Sequence, residues 1–246
     1  MRVGLFVTCL ADLMRPSVAL AALKLLENAG CEVVVPEAQT CCGQPGYNSG
    51  DRAAAQALAR KVLVEFDDCD YVVLPSGSCG GMIRAHYPEL LSEFPELKAR
   101  VEALARRTFE LTDFLVNVLQ IESVPGRFEG TVTYHDSCAG LRELGVKSQP
   151  RRLLEKVPGL RMMEMESPEQ CCGFGGTFAV KYGEISSRLA DLKSEDVEKS
   201  GADALVLGDL GCMLNIEGRL RRRGNNSTRV LHVAEVLAGM TGDEVE

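Results

Sequence analysis

The stretch Gln39-Thr40-Cys41-Cys42-Gly43-Gln44-Pro45 has a second version in Gln170-Cys171-Cys172-Gly173-Phe174-Gly175-Gly176. A lone cysteine stands 32 or 33 positions ahead of each doublet, at Cys9 and Cys138. Another stands 37 or 40 positions behind the doublet's second member, at Cys79 and Cys212. The order C…CCG…C therefore occurs twice. Cysteine is a scarce residue, and chance does not repeat such spacing. The two halves read as internal repeats.

What surrounds the cysteines also repeats. Residues 3–7 form an apolar run typical of a strand buried on both faces, and it delivers Cys9. A helix is predicted over 16–28, a second strand over 32–35, and a helix after Asp51, which can cap it. A third strand, 71–74, runs into Pro75-Ser76-Gly77-Ser78-Cys79. Helices follow over 97–107 and 113–119, with Thr112 as the cap of the latter. After a linker rich in Pro and Gly the order restarts: strand 131–134 leads to Cys138, a helix covers 150–157, and a strand covers 161–165. A long helix over 179–199 then precedes strand 204–207, which feeds Cys212. The tail 231–237 echoes 111–117 as a closing helix. Strands alternating with helices predict an α/β fold of two pseudo-repeated halves, each a mostly parallel sheet flanked by helices. The halves span 1–120 and 131–246, joined by a linker over 121–130. In such sheets the ligand crevice lies beyond the carboxyl ends of the strands. Cys9, Cys79, Cys138 and Cys212 all follow strands, so each quartet is expected to converge on one mouth at that edge.

Composition narrows the classes. Of 246 residues 46% are hydrophobic, enough for a full core and against disorder. A net charge of −8 argues against nucleic acid as a partner. The basic stretch Arg219, Arg221, Arg222, Arg223 reads as the solvated end of a helix, with a docking patch for an acidic partner as the alternative. No signal peptide is visible, and no apolar stretch approaches the ~20 residues that span a bilayer. The expected compartment is the reducing cytoplasm, where ten cysteines suit metal binding or redox chemistry better than a disulfide scaffold.

Thiolates favour iron–sulfur, zinc or copper(I). Structural zinc sites usually show short C-x-x-C loops, and neither half has one: Met82 and Asn215 stand where the partners of Cys79 and Cys212 would be. Four cysteines suffice for one [4Fe–4S] cluster, and adjacent cysteines can reach different irons of it. The expected ligands are therefore Cys9, Cys41, Cys42 and Cys79 in one half, and Cys138, Cys171, Cys172 and Cys212 in the other. Gly43, Gly80, Gly81, Gly173, Gly175, Gly176 and Gly211 would let backbone N–H groups approach the sulfurs. Zinc in one half, or cysteines that merely fill a core, are the competing readings. Cys31 and Cys69 fall outside the pattern and read as core filler. A dinucleotide loop after Gly173 is rejected, because Phe178 occupies its third glycine position. His135, close to Cys138, is a weak catalytic candidate as a proton donor, with a structural hydrogen bond as the equal alternative. Asp136 and Asp209 read as loop caps.

The stretches Leu5-Phe6-Val7-Thr8-Cys9, Cys41-Cys42-Gly43-Gln44-Pro45, Tyr47-Asn48-Ser49-Gly50, Pro75-Ser76-Gly77-Ser78-Cys79, Cys171-Cys172-Gly173-Phe174-Gly175-Gly176-Thr177-Phe178 and Gly211-Cys212 resemble the cysteine-rich CCG family. That family occurs in heterodisulfide reductases and in the iron–sulfur subunit of glycolate oxidase, and the match is closer to its lactate-utilisation branch. The resemblance covers essentially the whole chain. It implies an iron–sulfur electron-transfer component of a system oxidising L-lactate to pyruvate. The implied partners are other lactate-utilisation subunits, including a ferredoxin-like iron–sulfur protein. Heterodisulfide reductase relatives carry an additional cysteine after each doublet, in a C-x-x-C; this chain lacks it in both halves. A thiol–disulfide enzyme and a zinc-stabilised scaffold are the alternatives. Dehydrogenating a 2-hydroxy acid needs a base and a hydride acceptor, and the sequence shows no flavin or nicotinamide site, so a complete reaction by this chain alone is not expected.

Overall fold

The runs Tyr71–Leu74 and Ala204–Leu207 carry apolar side chains on both faces and are almost wholly buried, as central strands of parallel sheets are. In the computed structural model, which describes residues 1–242, each lies inside a four-stranded, all-parallel sheet. The first contains β1 (Arg2–Leu5), β2 (Glu32–Val34), β3 (Tyr71–Leu74) and β4 (Thr108–Glu110), in the order β2-β1-β3-β4. The second contains β5 (Gly130–His135), β6 (Leu160–Met162), β7 (Ala204–Leu207) and β8 (Arg229–His232), in the order β6-β5-β7-β8. The registers correspond: Leu5 pairs with Val73 as Tyr134 pairs with Val206. In both sheets the strand order reverses direction between the first and third strands. A crevice opens beyond the carboxyl edge at such a switch point. Cys9 and Cys79 follow the two strands that flank the first one, and Cys138 and Cys212 the two that flank the second.

The fourth strands are absent from the sequence reading. Thr108-Phe109-Glu110 is only three residues long and abuts a helix ending at Arg107. Arg229–His232 takes the start of the tail expected to be helical, leaving Val233–Ala238 as the helix. The cap of the helix beginning at Leu111 is Glu110, not Thr112: its carboxylate accepts from the N–H groups of Thr112 at 2.8 Å and Asp113 at 3.1 Å. The helix expected over 179–199 breaks at Tyr182, next to Gly183, into Thr177–Lys181 and Gly183–Ser200.

The two halves share one core and exchange their closing helices. Val233–Ala238 of the second half packs on Ser17–Asn28 of the first, and Leu25, Leu26, Val236 and Leu237 belong to one apolar cluster. Arg15 donates two hydrogen bonds to Glu235 at 2.8 and 2.9 Å, and Ser17 a third at 2.6 Å. The reverse contact sets Leu111–Val118 of the first half against Ser148–Leu154 of the second, where Gln149 donates to Asp113 at 3.1 Å.

Glu110 ends β4 beneath this interface. Burial pushes its carboxyl up to about 7, although the Thr112 hydroxyl and two N–H donors pull the other way. The unfolded chain releases this proton near pH 4.5, the folded chain only near 7, so stability falls as pH rises through that window. The fall is on the order of 3 kcal/mol. Glu110→Gln keeps an acceptor for the cap and has no proton to lose. Denaturant midpoints measured from pH 4 to 8 are expected to lose this component of the slope in the variant; an unchanged slope would contradict the assignment.

Candidate metal centres

The first quartet is built by two capped helices and a tethered loop. Thr8 Oγ1 accepts from the Ala11 N–H at 3.3 Å and starts the helix Cys9–Met14, placing Cys9 in its first turn. Ser76 Oγ does the same for Cys79, accepting its N–H at 3.3 Å. Gln39 ties the intervening loop to the end of β1 as a short strand would: its Oε1 accepts from the Val7 N–H at 2.7 Å, and its Nε2 donates to the Leu5 carbonyl at 3.4 Å. The buried Tyr87 hydroxyl holds the Cys42 carbonyl at 2.8 Å. In the second half Asn215 Nδ2 holds the Cys172 carbonyl at the same distance, 2.8 Å. Asn215 is one of the two positions where a C-x-x-C partner would stand, and it is used to brace the doublet instead.

The sulfurs converge. Cys9 and Cys41 Sγ lie 4.0 Å apart, and Cys42 and Cys79 Sγ 3.3 Å apart. In the second half Cys138, Cys171, Cys172 and Cys212 form the same chain of thiol contacts. All ten cysteines are free thiols. After each doublet the backbone turns left-handed at a glycine, with φ +85° at both Gly43 and Gly173, a conformation that other residues adopt only with strain. The turn aims the Gly43 N–H at Cys41 Sγ, at 3.4 Å, and the Gly173 N–H at Cys171 Sγ, at 3.3 Å. The Phe174 N–H adds a third such bond, to Cys172 Sγ at 3.4 Å. The neighbouring thiols, Cys42 foremost for Cys41 and Cys138 foremost for Cys171, together with these N–H groups, hold Cys41 and Cys171 far below the ordinary thiol range. The same thiol contacts, then burial, push Cys9, Cys42, Cys138 and Cys172 up. A soft cation that takes all four thiolates would displace those protons. The donor set suits iron–sulfur, zinc or copper(I), not a hard oxygen-seeking ion.

Gly80, Gly81 and Gly211 serve a different purpose from the one expected. A Cβ on Gly80 would meet Leu144 at 2.9 Å, and one on Gly211 would meet the Phe174 ring at 2.5 Å. Gly81 likewise faces Glu143. These glycines let helices and loops of the site pack against one another.

The quartets open onto adjoining cavities. One, of about 150 Å³, is lined by Cys9, Cys41, Cys42 and Cys79. The other, of about 350 Å³, is lined by Cys138, Cys171, Cys172 and Cys212. Gln44, Asn48, Ser78, Phe174, Gly176 and Asp209 border both. Asp209 is the cap it was expected to be, and it serves two helices. Its Oδ1 accepts from the Gly211 N–H at 3.2 Å, ahead of Cys212. Its Oδ2 accepts from the Ser78 N–H at 2.8 Å and the Ser76 hydroxyl at 3.2 Å, beside Cys79. Asp136 is not a cap; it pairs bidentately with Arg151 at 2.8 and 3.0 Å.

His135 is fully buried, and burial, reinforced by the Lys193 ammonium, pushes its imidazole down to about 3. Neither ring nitrogen makes a hydrogen bond of good geometry among the described residues; the Pro168 carbonyl, close enough to raise the imidazole's pKa against that trend, accepts from the Asp136 N–H. Lys193, which no sequence signal marked, is completely buried in the same region, with Nζ 3.5 Å from Met165 Sδ and 3.7 Å from Asp196. Three of the four arginines in the basic stretch are paired within the chain. Arg219 and Arg223 pair with Asp191, Arg223 also with Glu195 and Glu198, and Arg221 with Glu217. Cys31 and Cys69 are buried in the apolar core. No helix among the described residues is long and apolar enough to cross a membrane.

A family model described as a cysteine-rich CCG domain matches residues 3–84 and 132–217, so each match encloses one quartet. Lactate utilization protein A of Geobacillus kaustophilus (strain HTA426) is 50% identical to this chain over 237 residues, covering 96% of this chain and 98% of that protein. Lactate utilization protein A of Bacillus subtilis (strain 168) is 47% identical, covering 96% and 99%. Among solved structures, a hypothetical protein from Helicobacter pylori matches with a TM-score of 0.68 at 15% identity, over 99% of this chain. The chain spans 49% of that structure, and the likeness is one of fold.

Proposed function

Since the chain belongs to the cysteine-rich CCG domain family, in the branch of the lactate utilization proteins A, we propose that it is an iron–sulfur electron-transfer subunit of a complex that oxidises L-lactate to pyruvate. The observation that carries this reading is the lining of two adjoining cavities by one complete cysteine quartet each. Cys9, Cys41, Cys42 and Cys79 would hold one [4Fe–4S] cluster, and Cys138, Cys171, Cys172 and Cys212 a second. Such clusters supply one-electron transfer through thiolate-bound iron. The chain's own residues set the conditions. Gly43, Gly173 and Phe174 direct N–H groups at the sulfurs, which stabilises added negative charge. Asp209 fixes the two cysteine-bearing helices to each other, so the centres stay at a constant separation. Other lactate-utilisation subunits, among them a ferredoxin-like iron–sulfur protein, would supply the hydride acceptor and take the electrons onward.

Protein purified anaerobically is expected to contain about eight iron and eight acid-labile sulfide per chain, as two four-iron clusters require. It should also show broad absorbance near about 400 nm and an EPR signal on reduction. Zinc in place of iron, with no sulfide, would replace this reading with that of a zinc-stabilised scaffold.

A further inference from the structure

The two quartets sit in matching frames, and their surroundings differ at one matched position that bears on ligation. Phe6 stands three residues before Cys9, and His135 three residues before Cys138. Both are fully buried. Phe6 packs in the apolar cluster that contains Cys42 and Cys79. His135 brings a ring nitrogen to the matching pair: its ligand atom and the sulfurs of Cys172 and Cys212 all lie within 4.8 Å of one another. A second difference accompanies it. The helix over each doublet approaches the turn glycine in the same register, Ala55 and Leu58 beside Gly43, Ser186 and Leu189 beside Gly173. In that register Lys193 takes the place of Val62.

A phenyl ring needs no polar partner. A buried imidazole does, and neither nitrogen of His135 makes a hydrogen bond of good geometry among the described residues, the Pro168 carbonyl offering only a loose approach. Leaving them so costs free energy that the corresponding phenylalanine would avoid. The ring faces two sulfurs of a soft-metal donor set, and neutral imidazole is itself a donor to iron, zinc and copper.

We propose that His135 is a nitrogen ligand of the second centre, beside Cys172 and Cys212, so that the second centre is a mixed thiolate–imidazole site and the first is thiolate only. This rests on the second quartet holding a metal. A neutral imidazole adds a donor without adding negative charge, and its nitrogen gives the second centre a spectroscopic mark that the first lacks.

The test is pulsed EPR on the reduced, anaerobically prepared full chain, together with iron and sulfide analysis. Wild type is expected to show strong nitrogen-14 hyperfine coupling from a metal-bound imidazole. His135→Phe, which inserts the residue the first half carries, is expected to lose that coupling. His135→Gln guards against a packing artefact and should lose the coupling as well. His86 lines the same cavity but lies 3.4 Å from Glu143 and stacks on Tyr47, so His86→Phe should leave the coupling intact. Iron–sulfur clusters without strong nitrogen coupling in wild type would overturn the proposal and leave the electron-transfer reading standing. If no iron is present, that reading fails, and cobalt(II) added to the metal-free protein decides the ligation. Ligand-field bands unchanged by His135→Phe would then overturn it.

Discussion

Cys172→Ser protein prepared anaerobically is expected to hold about half the iron and sulfide of the wild type, while keeping the EPR signal of the first centre. Cys172 is 2% exposed and sits between Cys171 and Cys212, where bulk water does not reach to replace its sulfur. A serine hydroxyl at the same place is a harder donor, with a proton it does not readily give up. The Asn215 amide and the Gly173 turn hold the backbone in place whichever side chain is present, so the loop is not expected to collapse. Removing even an outer-shell partner of a metal ligand costs 10–100-fold in affinity or activity, so loss of the ligand itself is expected to lower lactate-dependent electron transfer in the reassembled system by about 100-fold or more. Cys42→Ser is the mirror experiment and should remove the first centre only. Full iron content in either variant would mean that the mutated quartet is not the site of a cluster.

Gly77→Ala is expected to affect both centres at once. A Cβ at Gly77 would lie 2.7 Å from the Gly140 Cα, 2.8 Å from the Gly140 N and 2.9 Å from the Ser137 Oγ. Two of these atoms are backbone and cannot swing aside. The helices in contact here carry Cys79 and Cys138, one cysteine from each quartet. Forcing them apart should cost ~1–3 kcal/mol. In a chain of this size that lowers the melting temperature by roughly 2–12 °C. Iron should fall at both centres, unlike the one-sided loss in the cysteine variants. Gly183→Ala, where an added Cβ meets nothing within 4 Å, is the control and should leave melting and iron content near wild type. A Gly77→Ala protein that melts with the wild type would show that the helix contact is looser than the structure has it.

The order of strands and the convergence of the cysteines were legible because both are written in local pattern. Short apolar runs ending in a cysteine can be read without knowing what they pack against. The fourth strands were not legible. Thr108-Phe109-Glu110 has no periodicity of its own and becomes a strand through pairing with Val72–Leu74. The same holds for cap identity: Thr112 is a conventional cap, but tertiary burial gives the task to Glu110. Asp209 was recognisable as a cap, but its second helix lies 131 residues away along the chain, beyond any local signal. Lys193 lies in a helix rich in polar residues, and only the packed structure shows it enclosed. His135 was visible through its nearness to Cys138, but its unpartnered nitrogens emerge only when its surroundings are known.

The exchange of closing helices has a consequence for how the molecule comes apart. The helix Val233–Ala238 lies against the opposite half, and Leu111–Val118 touches Ser148–Leu154 of its neighbour in turn. Neither repeat can open alone without stripping apolar surface from its neighbour. Hydrogen exchange should therefore protect the two sheets to a similar depth, as one cooperative foldon. A lesion that loosens one repeat would then threaten the redox centre of the other.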